Sequence, residues 1–503
     1  MSSASARGAV LDRQQQAIRT RLPNTSMTAP ESRRATHRIS GCITALQELT
    51  GDRLTTSPEI LGQHAHDSAH HQPQPPDAVV FPESVEETSA CVRVCSEHRV
   101  PVIPFGTGTA VEGGVVAIHG GITFDLSRMN QVLRVSVPDM DVTVEAGVTR
   151  LQLNELLKEQ GNNLHFPIDP GADASLGGMS ATRASGTAAV RYGTMRDRVL
   201  GLQAVLADGR ILQTGSRARK SSAGYDLTHL FVGSEGTLGI ITQVTLKLAP
   251  NPEAVSAAVC SFDSIEAAVA SVIDVMAADI PMARIELLDE IQMDAINRYS
   301  HLNYKKAPTL FFEFHGTQTA VQEQASRTQV ILQAHHASGI EWVTGESDRD
   351  RLWEARHNGY YATIGLREGS VGYVTDVCVP VGNLAECIRR AKADLRSCSL
   401  PAPLFGHVGD GNFHVVFPIL PGNPEELAEA QHYGRKLVEH ALDLDGTCTG
   451  EHGIGIGKRD ALRTEHGPGV DVMQAIKHSL DPHNIMNPGK LFPADSIRLL
   501  SEH

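Results

Sequence analysis

The sequence predicts an α+β protein of more than one domain, and three observations predict it. Between residues 100 and 240, short apolar strands alternate with loops of glycine and other small residues. From 255 to 397, strand-like and helix-like stretches alternate at full length. Near the end, two glycine-rich segments carry histidines: Gly406-His407-Val408-Gly409-Asp410-Gly411-Asn412-Phe413-His414 and Gly450-Glu451-His452-Gly453. A length of 503 residues allows two large domains or about three smaller ones. The net charge of −14 argues against general nucleic-acid binding. No apolar run reaches membrane-spanning length, so any membrane contact is expected to be peripheral. Eight scattered cysteines form no Cys-x-x-Cys pair, which excludes zinc-ribbon, thioredoxin and haem-attachment motifs and suits reduced thiols inside a cell.

Residues 1–38 hold seven arginines against Asp12 and Glu31. The expected reading is a disordered basic tail, or a start codon placed too early, on a cytoplasmic protein peripheral to the inner membrane; the alternative that the bias also suits is a mitochondrial transit peptide. Pro23 and Pro30 interrupt any long helix there. A helical pattern begins near Ile39 (Ile43, Leu46, Leu49). His64, His66, His70 and His71 follow among Gln and Pro and read as a solvated loop. A strand at 78–81, a helix at 85–98 and a strand at 100–104 lead into Phe105-Gly106-Thr107-Gly108-Thr109-Ala110-Val111-Glu112-Gly113-Gly114. Successive N–H groups in such a loop make an anion-binding nest, and missing side chains allow close approach. It is not a Rossmann loop, because Val111 stands at the third glycine position and the sequence after it reads as strand, not helix.

Further small-residue loops follow at Pro167 to Met179, Ala184-Ser185-Gly186-Thr187, Arg191-Tyr192-Gly193-Thr194 and Phe231 to Ile241, with strands at 199–206 and 211–212 around the Asp208-Gly209 turn. Interleaved with strands, they imply a backbone wrapped around an extended polar ligand. Beyond them, strands read at 255–262, 283–287, 309–315 and 373–379, and helices at 265–276, 320–336, 348–361 and 384–397. The apolar flanks of the 406–414 segment read as two strands joined by a Gly-Asp-Gly-Asn turn, which sets His407 and His414 beside it. Two imidazoles and one carboxylate are a common shell for a catalytic divalent metal. With 23 histidines in the chain, a chance cluster of surface histidines is the competing reading.

The motifs together resemble the vanillyl-alcohol-oxidase-type flavoproteins with a PCMH-type FAD domain. Within them the chain resembles the FAD-linked D-2-hydroxy-acid dehydrogenases of the cytochrome-linked D-lactate dehydrogenase branch. The resemblance rests on Pro-Phe-Gly-Thr-Gly-Thr at 104–109, Asp-Pro-Gly-Ala-Asp-Ala-Ser at 169–175, Ala-Val-Arg-Tyr-Gly-Thr-Met-Arg at 189–196 and Phe-Val-Gly-Ser-Glu-Gly-Thr-Leu-Gly at 231–239. The two histidine segments and Met-Asn-Pro-Gly-Lys at 486–490 add to it. It implies a two-subdomain FAD-binding domain over 39–250, a cap and substrate domain of antiparallel sheet and helices over 251–495, and a C-terminal segment returning to the flavin.

It implies FAD held by Pro104, Gly106, Thr107, Gly108, Thr109, Gly113, Gly114, Pro170, Gly171, Ser175, Gly177, Gly178, Ser185, Gly186, Tyr192, Gly193, Glu235, Gly236, Gly239, Ile240, Ile241 and Asn487. No histidine lies within 101–114 or 169–187, so noncovalent FAD is expected. It implies a divalent metal, zinc or manganese, on His407, His414 and Glu451, with His452 as the base, Arg356 as the clamp for a substrate carboxylate, and Asn412 donating to substrate or orienting a ligand. Relatives acting on D-2-hydroxyglutarate carry a lysine where Val374 stands and a threonine where Tyr360 stands. The expected substrate is therefore a small monocarboxylic 2-hydroxy acid such as D-lactate. Relatives mostly have a small residue or Asn where Arg183 stands, so that side chain faces a phosphate or solvent. Without haem or iron–sulfur motifs, electrons are expected to leave to cytochrome c, a quinone or an electron-transfer flavoprotein. A homodimer is a further expectation. Two rivals use the same residues: a metal-dependent hydrolase without flavin, and a noncatalytic flavin-binding subunit of a larger complex.

Overall fold

The computed structural model describes residues 29–494, with side chains from His37 onward. Residues 1–28 and 495–503, and with them most of the basic extension, lie outside the described residues. Three sheets, each over its own apolar core, organise the rest. The first has four strands in the order Leu54–Thr55, Ala78–Val80, Ile122–Asp125, Val102–Phe105, antiparallel at the first pairing and parallel at the other two. The helix Val85–His98 covers it, capped by Ser84 accepting from Glu87 N–H and ended by Arg99 in the left-handed region. Cys91, Val92 and Cys95 of that helix are buried against Val80, Val102 and Phe124.

The second sheet is antiparallel, in the order Val132–Ser136, Asp141–Glu145, Ile240–Lys247, Val199–Val205, Ile211–Gly215. The third is an eight-stranded antiparallel sheet: Ser338–Val343, Ala254–Ser261, Thr309–Gly316, Met282–Leu288, Leu404–Gly406, Asn412–Ile419 and Val371–Val374, with Val377–Cys378 also on Asn412–Ile419. Phe312, Phe314, Phe413 and Phe417 fill its core with the helices Ile265–Ala277, Gln318–Ala334 and Leu384–Leu395. The chain then returns to the first sheet. Val102 N–H donates to Ile485 O and Asn487 N–H to Val102 O, both at 2.8 Å, and Met486 joins the first core.

Several expectations need correction. The first helix among the described residues spans Ala29–Thr50, so it extends well before residue 39. Pro30 sits in its first turn, where a missing N–H costs nothing. The stretch 115–118 is coil with a single bridge, Ile118 to Gly120, because its N–H groups serve local turns. The strand at 373–379 breaks after Val374, where Thr375 and Asp376 turn their side chains to His414, Val415 and the 449–452 segment. The helix at 348–361 breaks at Asn358-Gly359, where the Gln292 side chain donates to Gly359 O at 2.9 Å. The histidine loop is not solvated: His64 is buried on Asp125 at 2.9 Å, and the His70 ring packs on Tyr373 at 4.7 Å. Burial pushes the His70 and His71 imidazoles down, to about 3 and about 4.

Candidate active site

One cavity lies between the first two sheets and the third. Pro104, Gly106, Thr107, Gly108, Thr109 and Gly114 line it from the first loop. Pro170, Gly171, Ser175, Gly177, Gly178, Ser185 and Gly186 line it from the middle loops, and Glu235, Gly236, Gly239, Ile241 and Asn487 from the last ones. Arg356, His407, His414, Glu451 and His452 line it from the other side. The glycines are required by contact: a Cβ on Gly106 would stand 2.3 Å from Ser175 Oγ, and one on Gly177 2.5 Å from Ala146 Cβ. Gly236, at φ +73°, would meet Pro104 at 2.8 Å.

Five expected residues do not line it. Ile240 is buried in the first core. Gly113, at φ +76°, is wedged against Ile456 and His71. Gly193 faces Asp197, and the Tyr192 hydroxyl bonds His315 Nδ1 at 2.8 Å. The Asn412 amide is spent on Asp376 Oδ1 at 2.7 Å and Val377 O at 2.8 Å, so it holds Asp376 and does not reach a substrate. Arg183 does not line the cavity and is exposed to solvent, one of its two expected placements; it caps the helix Leu176–Thr182 at φ 57° and donates to Val232 O at 3.3 and 3.1 Å.

Three ring systems converge on one carboxylate. Glu451 Oε1 lies 3.1 Å from His407 Nε2, 3.2 Å from His414 Nε2 and 3.8 Å from His452 Nε2. The His414 and His452 rings stack at 4.9 Å and 10°. The far nitrogens of the first two rings are committed: His407 Nδ1 donates to Glu286 Oε1 at 2.6 Å, and His414 Nδ1 to Thr375 O at 3.1 Å. That leaves both Nε2 lone pairs aimed at Glu451, the donor set and orientation of a divalent-metal shell. Asp376, His414 and His452 also lie close enough to share an ion. Asp376 cannot serve, because its oxygens already accept from Asn412 Nδ2, Thr449 Oγ1, Glu451 N–H and His452 N–H. Burial pushes the Glu451 carboxyl up, but His407 and His414 outweigh it and hold it well below the usual carboxylate range. Burial likewise pushes the His452 imidazole down, and Asp376 does not offset this, leaving it at about 4.

Sequence reasoning missed two groups. Asp376 organises the 449–452 segment, and Glu286, fully buried, bridges His407 and Arg356. Glu235 lines the cavity as expected and has a second task. Its carboxylate accepts from Ile454 and Gly455 N–H, both at 2.7 Å, and so ties the 451–455 segment to the glycine loops. The signal for Glu286 was two charged residues, Arg284 and Glu286, in an otherwise apolar central strand.

Residues 251–491 match the C-terminal domain of FAD linked oxidases, and residues 76–215 match an FAD binding domain. The chain is 49% identical over 482 residues to a probable mitochondrial D-lactate dehydrogenase of Danio rerio, covering 94% of this chain and 97% of that one. The chain belongs to the FAD-linked oxidases. A mitochondrial D-lactate dehydrogenase [cytochrome] of Arabidopsis thaliana is 45% identical, covering 90% of this chain and 80% of that one. Among solved structures, 4-ethylphenol oxidase from Gulosibacter chungangensis superposes with a TM-score of 0.77 at 17% identity, covering 95% of this chain and 100% of that one. It shows a shared fold. This FAD-linked oxidase therefore has an α+β architecture with FAD as its cofactor. Among the described residues, no helix is long and apolar enough to cross a membrane.

Proposed function

We propose that the chain oxidises a small D-2-hydroxy monocarboxylate, D-lactate foremost, to the 2-oxo acid. In this reading it works in mitochondria and passes electrons to cytochrome c. One observation carries the proposal: a single cavity runs from the glycine loops to an Arg356–histidine–Glu451 cluster. The printed names of the Danio and Arabidopsis relatives support the substrate, and the Arabidopsis name the acceptor. Residues up to about 250 hold the cofactor, and the later ones build the substrate side.

FAD, bound noncovalently, supplies the acceptor for the hydride leaving Cα of the substrate. His407 Nε2, His414 Nε2 and Glu451 would hold a zinc or manganese ion, whose Lewis acidity makes the substrate hydroxyl a better acid. Arg356 anchors the carboxylate. His452 takes the hydroxyl proton, since its ring faces the same carboxylate as both ligands and is neutral at physiological pH. Val374 and Tyr360 line the cavity and offer no cation to a second carboxylate. The Tyr360 hydroxyl oxygen accepts from Gly372 N–H at 3.3 Å, and as a neutral group it brings no positive charge.

Three outcomes are expected from a turnover screen of D-2-hydroxy acids, glycolate included. Anaerobic mixing with D-lactate bleaches the flavin. Chelation abolishes turnover, and one divalent metal restores it. The kcat/KM ratio of D-lactate over D-2-hydroxyglutarate exceeds one. A colourless protein, indifference to chelator or a ratio below one each sinks the corresponding part. Quinone or electron-transfer flavoprotein turning over faster than cytochrome c replaces the acceptor.

The pH profile offers a separate check. A base at about 4 is already deprotonated in neutral solution, and a nearby metal cation only lowers it further. At saturating metal, kcat/KM is expected to stay flat between about pH 5.5 and 7, losing activity only as pH falls toward 4. An acid limb centred near 6.5 overturns His452 as a base in this environment.

A further inference from the structure

We propose that Glu286 is a positioning residue that couples the metal-ligating histidine to the substrate clamp and sets how much negative charge the site accepts. The inference rests on the metal and substrate reading above. Glu286 does not line the cavity; it lies behind it, fully buried on the strand Met282–Leu288. Its two oxygens have different tasks. Oε1 accepts from His407 Nδ1 at 2.6 Å, which fixes the ring tautomer and leaves Nε2 to ligate. Oε2 accepts from Arg356 Nε at 2.9 Å and from Nη2 of the same guanidinium.

That second contact occupies the side edge of the fork. The end edge is left to the cavity, and Nη1 makes no hydrogen bond among the described residues. Phe405, with the Arg356 carbon 5.0 Å above its ring centre, closes one face of the guanidinium. Held by its side and its face, Arg356 presents one edge for one carboxylate in bidentate register.

The charge count points the same way. Asp376 and Asp169 add no positive charge to the site: their cations, Lys458 at 3.8 Å and Arg284 at 3.0 Å, are each shared with a second carboxylate, Glu112 or Glu313. Among the groups in direct contact with the ligating histidines and the clamp, Glu286 and Glu451 carry two negative charges against a divalent ion and Arg356. One positive charge is left over, enough for a monocarboxylate. A dicarboxylate would bring one negative charge more than these groups balance. Glu286 thus adds a discrimination that the absence of a cation at Val374 and Tyr360 does not itself provide.

The test uses the FAD-loaded full chain and two variants. Glu286→Gln keeps the shape and removes the charge. Its apparent affinity for zinc or manganese alone is expected to fall by about 10–100-fold. Its kcat/KM ratio of D-lactate over D-2-hydroxyglutarate is expected to fall about tenfold as the site gains net positive charge. Glu286→Asp keeps the charge but is one methylene shorter and cannot span both partners. It is expected to lose metal affinity with its substrate ratio within about twofold of the parent. A merely structural role would lower stability and both activities together without moving the ratio. Glu286→Gln with parental metal affinity, or with an unmoved ratio, overturns the proposal. If Glu286→Gln does not fold, parental metal affinity in Glu286→Asp overturns it. A parent protein that binds no metal or leaves D-lactate unoxidised instead overturns the functional reading.

Discussion

Asparagine in place of His452 is expected to lower kcat for D-lactate about a thousandfold, the middle of the range for losing a general base. FAD and metal content should be unchanged. Asparagine fills a similar volume and still forms hydrogen bonds, but it cannot accept a proton from an alcohol. The effect should fall on chemistry because His452 is the ring least committed to the protein. His407 and His414 each have one nitrogen on a fixed acceptor and the other on Glu451. His452 is held through its backbone N–H, on Asp376 at 3.0 Å, and by stacking on His414. Its Nδ1 is buried with no hydrogen-bond partner among the described residues. The measurements are steady-state turnover with a dye acceptor, flavin absorbance and metal analysis on the same sample. Retention of kcat within tenfold of the parent would remove His452 from proton transfer.

The site was legible in the sequence where chemistry and chain neighbourhood coincide. His407 and His414 flank one turn, Glu451 and His452 are adjacent, and glycines around them mark close approach. Those four residues and the glycine loops came together in one cavity. The supporting groups were hidden because their partners are far off in sequence. Glu286 meets His407 across 121 positions, and Glu235 meets Ile454 across 219. Periodicity carries no information at that range. The same limit explains the histidine loop. Polar composition around residues 64–76 reads as solvent, yet Asp125 and Tyr373, far along the chain, bury His64 and His70. Regular elements fared better, since the apolar periodicity of helices and strands is local. The helices at 265 and 384 begin at the expected residue, whereas the local pattern does not reveal Glu290–Tyr299 or Ser338–Val343. Ser338–Val343 alternates half-buried and exposed residues at a sheet edge, which weakens its pattern.

Removing the Asp376 carboxylate should do more damage to the fold than any other single change at the site. Its side chain is fully buried and serves four donors: Asn412 Nδ2 and Thr449 Oγ1 at 2.7 Å, Glu451 N–H at 2.9 Å and His452 N–H at 3.0 Å. The Lys458 ammonium stands 3.8 Å away and shares itself with Glu112 at 3.1 Å. Burial alone would push the carboxyl up; His452, Lys458 and His414 reverse this and hold it well below its usual range. Asp376→Ala therefore strands two backbone donors, a hydroxyl and an amide at once, and leaves Lys458 short of one partner. Truncating one side of such a buried charged contact costs about 3–5 kcal/mol. Urea unfolding should register that loss. Asp376→Asn keeps one acceptor oxygen, which can still serve Thr449, Glu451 and His452, so its cost should be smaller, about 1–3 kcal/mol. Both variants loosen the peptide that carries Glu451 and His452, the proposed third ligand and base. A displacement of about 1 Å there is worth about a hundredfold in kcat, so activity should fall in Asp376→Asn although the protein stays folded. An alanine variant within about 0.5 kcal/mol of the parent, the scatter of ordinary surface substitutions, would mean that these four donors find other acceptors and that Asp376 does not hold the segment in place.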